Sequence, residues 1–179
     1  IDDIVIANLG ETLFSNYGTE EGMTPANTVR EARIINGRYR LRESGRGGGI
    51  ATFNSDNSEV LWQATDFVDD NTNFDDAEDQ AGVSTHWAVE NTYDYFLEKH
   101  GRNSFDDEGA RIISYVNYSV DWFNAQWLGS YMRFGGGDAT NDYRPLVGID
   151  IVGHEFAHGV TQFSADLIYQ NHPGALYES

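Results

Sequence analysis

Residues 154–158 of this chain read His-Glu-Phe-Ala-His, a spacing of side chains that can hold a metal ion. Positions four apart share one face of an α-helix, so His154 and His158 can each bring a ring nitrogen to about 2.0–2.1 Å from a single Zn²⁺. Glu155 then points toward the open side of the metal. A pentapeptide of this kind also arises by chance, so the motif alone is suggestive.

A third candidate ligand strengthens this interpretation. Glu178 lies twenty residues beyond His158. Two histidines and one carboxylate leave the fourth position of a tetrahedral zinc site to water, whereas structural zinc sites close all four positions. The chemistry expected from such a site is hydrolysis.

The composition agrees with a metal-binding protein. The 179 residues carry 11 Lys and Arg against 29 Asp and Glu, a formal net charge of −18, and no cysteine. An acidic surface repels phosphates and anionic headgroups, so we expect no nucleic-acid partner and no membrane partner, whereas cations are attracted. Without cysteine, any metal must be held by His, Asp, Glu or carbonyl oxygens. The length predicts a single domain over 1–179.

The first third of the chain has the pattern of β-strands. Residues 30–42 alternate apolar and polar side chains around Asn36 and Gly37, which predicts a hairpin. A glycine cluster at 45–49 precedes a short predicted strand at 50–53. The cluster lacks the Gly-Lys-Ser/Thr ending of a phosphate loop, and we interpret it as a flexible turn.

A helix is predicted over residues 83–100, where apolar side chains recur every three or four positions. Ser84 or Thr85 are its candidate N-caps, and Gly101 follows its end. The aromatic residues on this helix are expected in the core.

Strands and a second helix complete the predicted architecture. Residues 112–118 and 127–134 have strand-like patterns, the second broken by Gly129, and the period becomes helical again from Leu146. His86 and His100 are interpreted as structural or solvent-facing. This order predicts an α+β fold, with an antiparallel β-rich N-terminal part and the zinc-binding helix near the C-terminus.

Residues 148–178, which contain these candidate ligands, resemble the thermolysin-like (bacillolysin) zinc metallopeptidases. The resemblance extends back through Tyr131, Trp127, the 83–100 helix and the region of Asp69. It implies a thermolysin-like N-terminal domain of a secreted, extracellular endopeptidase, which would use zinc and calcium to hydrolyse internal peptide bonds of protein substrates.

The resemblance assigns roles to individual residues. It makes His154, His158 and Glu178 the zinc ligands and Glu155 the general base that activates water. Tyr169 matches a tyrosine that donates a hydrogen bond to the developing oxyanion. Taken alone, Tyr169 reads equally as an aromatic residue at the edge of the core.

The resemblance also implies a substrate-binding strand. Asn124, Ala125 and Trp127 match the edge strand that pairs with the substrate backbone, to which an extended peptide adds as a further strand. Without the family, this segment is a short strand with one tryptophan.

Calcium sites are implied at two places. Asp69, Asn71 and Asn73 match a calcium loop, although alternating Asp and Asn side chains are equally typical of a plain turn. Asp150 matches a ligand of the main calcium cluster, and its alternative interpretation is favourable electrostatics at a helix start. Asp138 matches an acidic position in the glycine loop and is expected to be a solvated charge.

The chain departs from the family pattern in two respects. Tyr177 stands where the family has Asn, which helps to orient the second histidine. The sequence also stops one residue after Glu178, so we expect truncation, with the C-terminal domain of the same enzyme, and half of the cleft, missing.

Three functions remain open at this point. The chain is an active zinc endopeptidase; or it is an isolated zinc-binding domain with little or no turnover, because half of the cleft is missing; or it is an acidic, calcium-stiffened binding domain with a coincidental histidine motif. Zinc content separates the last function from the other two, and peptide turnover separates the first two.

Overall fold

The computed structural model describes residues 33–35, 37–70, 74, 76–137, 140, 144–165, 167, 174 and 178. Two α-helices, one short 3₁₀ helix (Leu61–Gln63) and nine strands have their bounds within these residues. The strands are β1 (Arg33–Ile35), β2 (Arg38–Arg40), β3 (Arg42–Glu43), β4 (Ile50–Asn54), β5 (Thr65–Asp66), β6 (Val68–Asp69), β7 (Ile112–Tyr118), β8 (Ala125–Trp127) and β9 (Met132–Gly135). The helices are α1 (Gln80–His100) and α2 (Ile149–Ala165). The predicted α+β fold is confirmed.

The predicted hairpin is present and belongs to a small sheet. Strands β1 and β2 pair antiparallel with Ile34 opposite Tyr39, and β6 adds to the other side of β2. Gly37 between the strands has φ 77°, which a side chain other than glycine rarely adopts. Asn36 lies outside the described residues.

The larger sheet is mixed, and its strand order is β3-β4-β7-β9-β8, with β5 also paired to β4. The edge pairings are antiparallel, but β4 and β7 are parallel, as are β7 and β9. A parallel pair needs a long crossover connection, which α1 supplies between β4 and β7. Among the strands of the described residues, β8 stands at one end of this order.

Helix α1 begins three residues earlier than predicted, and the expectation of Ser84 or Thr85 as its N-cap is wrong. Asp79 is the N-cap. The apolar period starts only at Val83 because the first turn of the helix contains Gly82. A Cβ at Gly82 would lie 2.6 Å from the Phe67 ring, so the absence of a side chain makes room for this ring. The C-terminus is as predicted, since Gly101 has φ 67° and its N–H bonds to the Leu97 carbonyl.

Both helices pack against each other and against the larger sheet. In α2, buried apolar residues recur at spacings of three and four, namely Ile149, Val152, Phe156 and Val160. The Phe156 ring lies 5.3 Å from that of Phe96 on α1. This buried stripe places the opposite face of α2, with its histidines, away from the core.

The glycine cluster at 45–49 forms a tight turn held by buried charges. The Arg46 guanidinium bonds to both carboxylate oxygens of Asp94, at 2.7 and 2.9 Å, and lies 3.5 Å from Glu90 and 3.7 Å from Glu43. Gly49 has φ 94°. The predicted turn is confirmed, and its ion pairs attach it to α1.

The histidines of α1 lie outside any candidate catalytic site. His86 is fully buried, with Nδ1 2.9 Å from the Thr52 hydroxyl, whereas His100 is exposed. The structural interpretation of both residues is confirmed. Within the described residues, no helix is long and apolar enough to cross a bilayer.

Candidate metal centre

Helix α2 and Glu178 together form a cluster of metal-binding side chains. The rings of His154 and His158 have their centroids 4.4 Å apart on one face of the helix. The Glu178 Oε2 atom lies 3.6 Å from His154 Nε2 and 3.5 Å from His158 Nε2. One donor atom from each residue lies within 4.8 Å of the others, and no other group of three such residues occurs among the described residues.

These distances fit a zinc ion. Ligands about 2.0–2.1 Å from a tetrahedral zinc lie about 3.4 Å from one another, close to the separations found here. A direct hydrogen bond between imidazole and carboxylate would be shorter, at about 2.7–2.9 Å. The chemistry of the donor set, two imidazoles and one carboxylate, is that of a zinc site with one position open to water.

The cluster is buried at one end and accessible at the other. The His158 side chain is 9% exposed, His154 30% and Glu178 47%. A ligand approaching from solvent would therefore meet His154 and Glu178 first.

Glu155 lies next to the cluster and is almost completely buried, with 6% of its surface exposed. Burial raises the pKa of its carboxyl group to about 7, and the negative charge of Glu178 adds to this effect, whereas a hydrogen bond from the Trp127 backbone N–H opposes it. A carboxyl group with a pKa near 7 can both accept and return a proton at neutral pH.

Strand β8 packs against α2, and the described part of the chain places no strand on the side of β8 away from β9. The Asn124 carbonyl accepts a hydrogen bond from Gly135 at 2.9 Å, and the Leu128 N–H donates to Tyr131 at 2.8 Å, so these two groups face β9. Backbone groups alternate in direction along a strand, which turns those of Ala125 and Trp127 toward the other edge. The hydrogen bond from Trp127 to Glu155 agrees with this direction. The structure thus brings the predicted substrate strand beside the predicted base.

Three residues near this site were not predicted from the sequence: Phe105, Gly159 and Gln162. The Trp127 indole N–H donates to Gln162 Oε1 at 2.8 Å, and the Phe105 ring lies 4.8 Å from that of Trp127. A Cβ added at Gly159 would lie 3.0 Å from the indole. The only sequence signal was spacing, because Gly159 and Gln162 follow Glu155 by four and seven residues on one helical face.

The predicted calcium residues do not form a cluster among the described residues. Asp69 ends strand β6 opposite Tyr39, which corrects its assignment to a loop, because the pairing with β2 extends to this residue. Asp150 is exposed in the first turn of α2, as expected for helix-start electrostatics. Asn71 and Asn73 lie outside the described residues.

Three further predicted positions also lie outside the described residues. They are Tyr169, Asp138 and Tyr177.

An α+β fold with paired histidines four apart on a helix, a carboxylate as the third candidate ligand and a buried glutamate is typical of metal-dependent hydrolases. Residues 18–162 match the family described as thermolysin metallopeptidase, catalytic domain. This match covers most of the sequence, so the chain belongs to the thermolysin metallopeptidase family.

Individual relatives agree with the family assignment. The chain is 41% identical over 173 residues to Neutral protease B of Bacillus subtilis (strain 168), covering 90% of this chain and 31% of that protein. It is 44% identical over 142 residues to bacillolysin of Brevibacillus brevis, covering 79% and 26%. The structure of the precursor of protealysin, a metalloproteinase from Serratia proteamaculans, matches with a TM-score of 0.64 and 27% identity, covering 99% of this chain and 51% of that one. The chain thus spans about a third or less of these two curated relatives.

Proposed function

We propose that this chain carries the zinc-binding part of the active site of an endopeptidase that hydrolyses internal peptide bonds of proteins. The observation that carries the proposal is the placement of three zinc-type donor atoms within 4.8 Å of one another, beside a buried glutamate. The names of the relatives, neutral protease and bacillolysin, support the same activity. An extracellular location is proposed with it, as the family resemblance of the sequence implies.

His154, His158 and Glu178 would hold the zinc ion. When bound there, zinc polarises a carbonyl group and lowers the pKa of a coordinated water. Glu155 takes a proton from the attacking water and returns it to the leaving amine, a role supported by its buried position beside the cluster. Tyr169 is proposed to donate a hydrogen bond to the developing oxyanion.

The substrate would bind along β8 as an additional strand. Ala125 offers its backbone N–H and carbonyl, and Trp127 its carbonyl, on the side of β8 away from β9, and the exposed Asn124 lies at the start of the strand. Main-chain pairing holds the peptide independently of its side chains, which suits an enzyme that acts on many protein sequences.

We also propose that residues 1–179 form one zinc-carrying domain and that a C-terminal domain of the same enzyme supplies the other wall of the cleft. The support is the share of the relatives that the chain spans, 31% and 26%. Calcium is proposed as a second metal, bound through Asp69, Asn71 and Asn73, with Asp150 as a further candidate ligand.

A second function is a zinc-binding domain with little or no turnover. The exposure of His154 and Glu178 favours it, because electrostatic stabilisation of a transition state is weaker where water has access. Both functions share the metal site and differ only in catalysis.

The test combines zinc stoichiometry with peptide hydrolysis. We expect about one zinc per chain by elemental analysis, reduced to near zero in His154→Ala and unchanged in His100→Ala, a matched change at the exposed end of α1. Hydrolysis of an internally quenched peptide that is lost with chelator and restored by zinc supports the endopeptidase. Bound zinc without hydrolysis supports the second function, and absence of bound zinc contradicts both.

A further inference from the structure

Trp127 connects the candidate substrate strand to the metal-binding helix through two separate contacts. Its backbone N–H bonds to the Glu155 carboxylate, and its indole N–H donates to Gln162 Oε1 at 2.8 Å. Glu155 and Gln162 are seven residues apart, two turns of α2, and so lie on the same face of the helix. The indole hydrogen bond thus ties the side chain of Trp127 to the same face of α2 that carries Glu155.

The indole is seated between these two contacts. A Cβ at Gly159 would lie 3.0 Å from Trp127 Cζ2 and 3.0 Å from the Cβ of Phe105, so a glycine is needed for this close approach. The Phe105 ring closes the other side, with its centroid 4.8 Å from that of Trp127. The indole therefore has little room to move while its hydrogen bond to Gln162 is present.

The neighbouring pairings transmit this position to the rest of β8. Trp127 pairs with Met132, and Ala125 pairs with Phe134. Because β8 is only three residues long, a shift of the indole displaces the whole strand. The backbone N–H that bonds to Glu155 belongs to the same strand. The position of the indole therefore determines where this N–H meets the Glu155 carboxylate.

We propose that Gln162 is a positioning residue, which holds Trp127 and with it the edge strand β8 in register with Glu155. Gly159 assists by leaving space for the indole. This deepens the proposed function: its kinetic consequence rests on the proposed endopeptidase activity, whereas its geometric part does not.

The geometric part is tested by hydrogen exchange of the Trp127 indole proton in the ¹⁵N-labelled 179-residue chain, assigned with Trp127→Phe. Loss of one hydrogen bond predicts about fivefold faster exchange in Gln162→Leu and in Gln162→Asn, whose shorter amide does not reach the indole. Gln162→Glu keeps an acceptor and restores protection. Thr161→Val, the neighbouring isosteric change on α2, is the matched control and leaves exchange unchanged.

The backbone amide of Trp127 provides the second readout. Its chemical shift moves in Gln162→Leu, because the donor to Glu155 is displaced, and it also moves in Gly159→Ala, which disturbs the seat without removing the acceptor. Unchanged exchange and an unchanged amide shift in Gln162→Leu would overturn the proposal.

Kinetics decide whether the position matters for the reaction. A small misplacement of reacting groups is costly, so kcat falls about tenfold in Gln162→Leu, with a smaller change in KM and unaltered zinc content. Restoration in Gln162→Glu supports the positioning role, and an unaltered kcat despite faster indole exchange overturns it. If the wild-type chain hydrolyses no peptide, the proposed function fails, while indole exchange still decides the geometry.

Discussion

Two clusters of charged residues in this domain are built in different ways. Around Arg46, the carboxylates of Glu43, Glu90 and Asp94 share one guanidinium, and the hydrogen bond that Arg46 donates to Asp94 raises the pKa of the arginine above its ordinary value. At the metal centre, imidazole and carboxylate groups converge at 3.5–3.6 Å, and the pKa of Glu155 is raised to about 7.

The difference lies in the origin of the positive charge. Arg46 belongs to the chain, so the first cluster is complete on folding and attaches the glycine turn to α1. The second cluster receives its cation, as proposed, from solution. The side chains of a binding site destabilise the folded protein electrostatically until the metal ion binds to them. This loss of stability should be measurable in the metal-free protein.

The largest expected effect is on catalysis. Glu155→Gln should leave zinc binding nearly intact and reduce peptide hydrolysis by about 10²–10⁴-fold, because the amide keeps the shape of the side chain but accepts no proton from water. Glu98→Gln, an exposed change on α1, is the control. An unchanged rate in Glu155→Gln would assign the activity to another base or to a contaminating protease.

A substitution in the Arg46 cluster should instead lower the stability of the folded protein. Arg46→Met removes the shared cation and leaves buried carboxylates without it, which typically costs about 3–5 kcal/mol in the free energy of unfolding. Urea denaturation measures this loss. Arg38→Met, which breaks the exposed pair with Asp70, should cost less than about 1 kcal/mol. Equal losses in the two variants would remove the distinction between a structural and an exposed ion pair.

The pH dependence of the stability of the metal-free protein sharpens the comparison between the metal centre and the Arg46 cluster. The folded pKa of Glu155 lies above its unfolded value of 4.5, so its ionisation penalises the folded state increasingly as pH rises from 4.5 to about 7. In chelator-treated protein at pH 8, Glu155→Gln should therefore be more stable than wild type by about 1–3 kcal/mol. At pH 4 the two should unfold alike in urea. If the difference in the free energy of unfolding between Glu155→Gln and wild type did not vary with pH, it would not come from the ionisation of Glu155.

The smallest expected effect comes from calcium. One millimolar calcium at a site of millimolar affinity stabilises the folded state by only about 0.4 kcal/mol, and a tighter site by more. We expect this shift in the thermal midpoint to disappear in Asp69→Ala and to persist in Asp150→Ala, because Asp150 is exposed and has no metal-binding cluster around it among the described residues. The reverse result would place the calcium at the start of α2.

Short-range patterns in the sequence predicted the local parts of this structure. The hairpin at Gly37, the strand β7, the C-terminus of α1 and the spacing of His154 and His158 each depend on residues close in sequence. The start of α1 was missed because Gly82 interrupts the apolar pattern. The close approach of the Phe67 ring, fifteen residues earlier, explains why a glycine stands there.

By itself, the sequence determined the types of side chain and their order along each element, and therefore the metal-binding chemistry and the α+β class. Tertiary structure alone decided that β4, β7 and β9 run parallel, that β8 lies at the edge, and that Trp127 meets both Glu155 and Gln162. The physical reason is distance along the chain. Trp127 and Gln162 are 35 residues apart, and contacts between such residues depend on how whole elements pack, which no local period encodes.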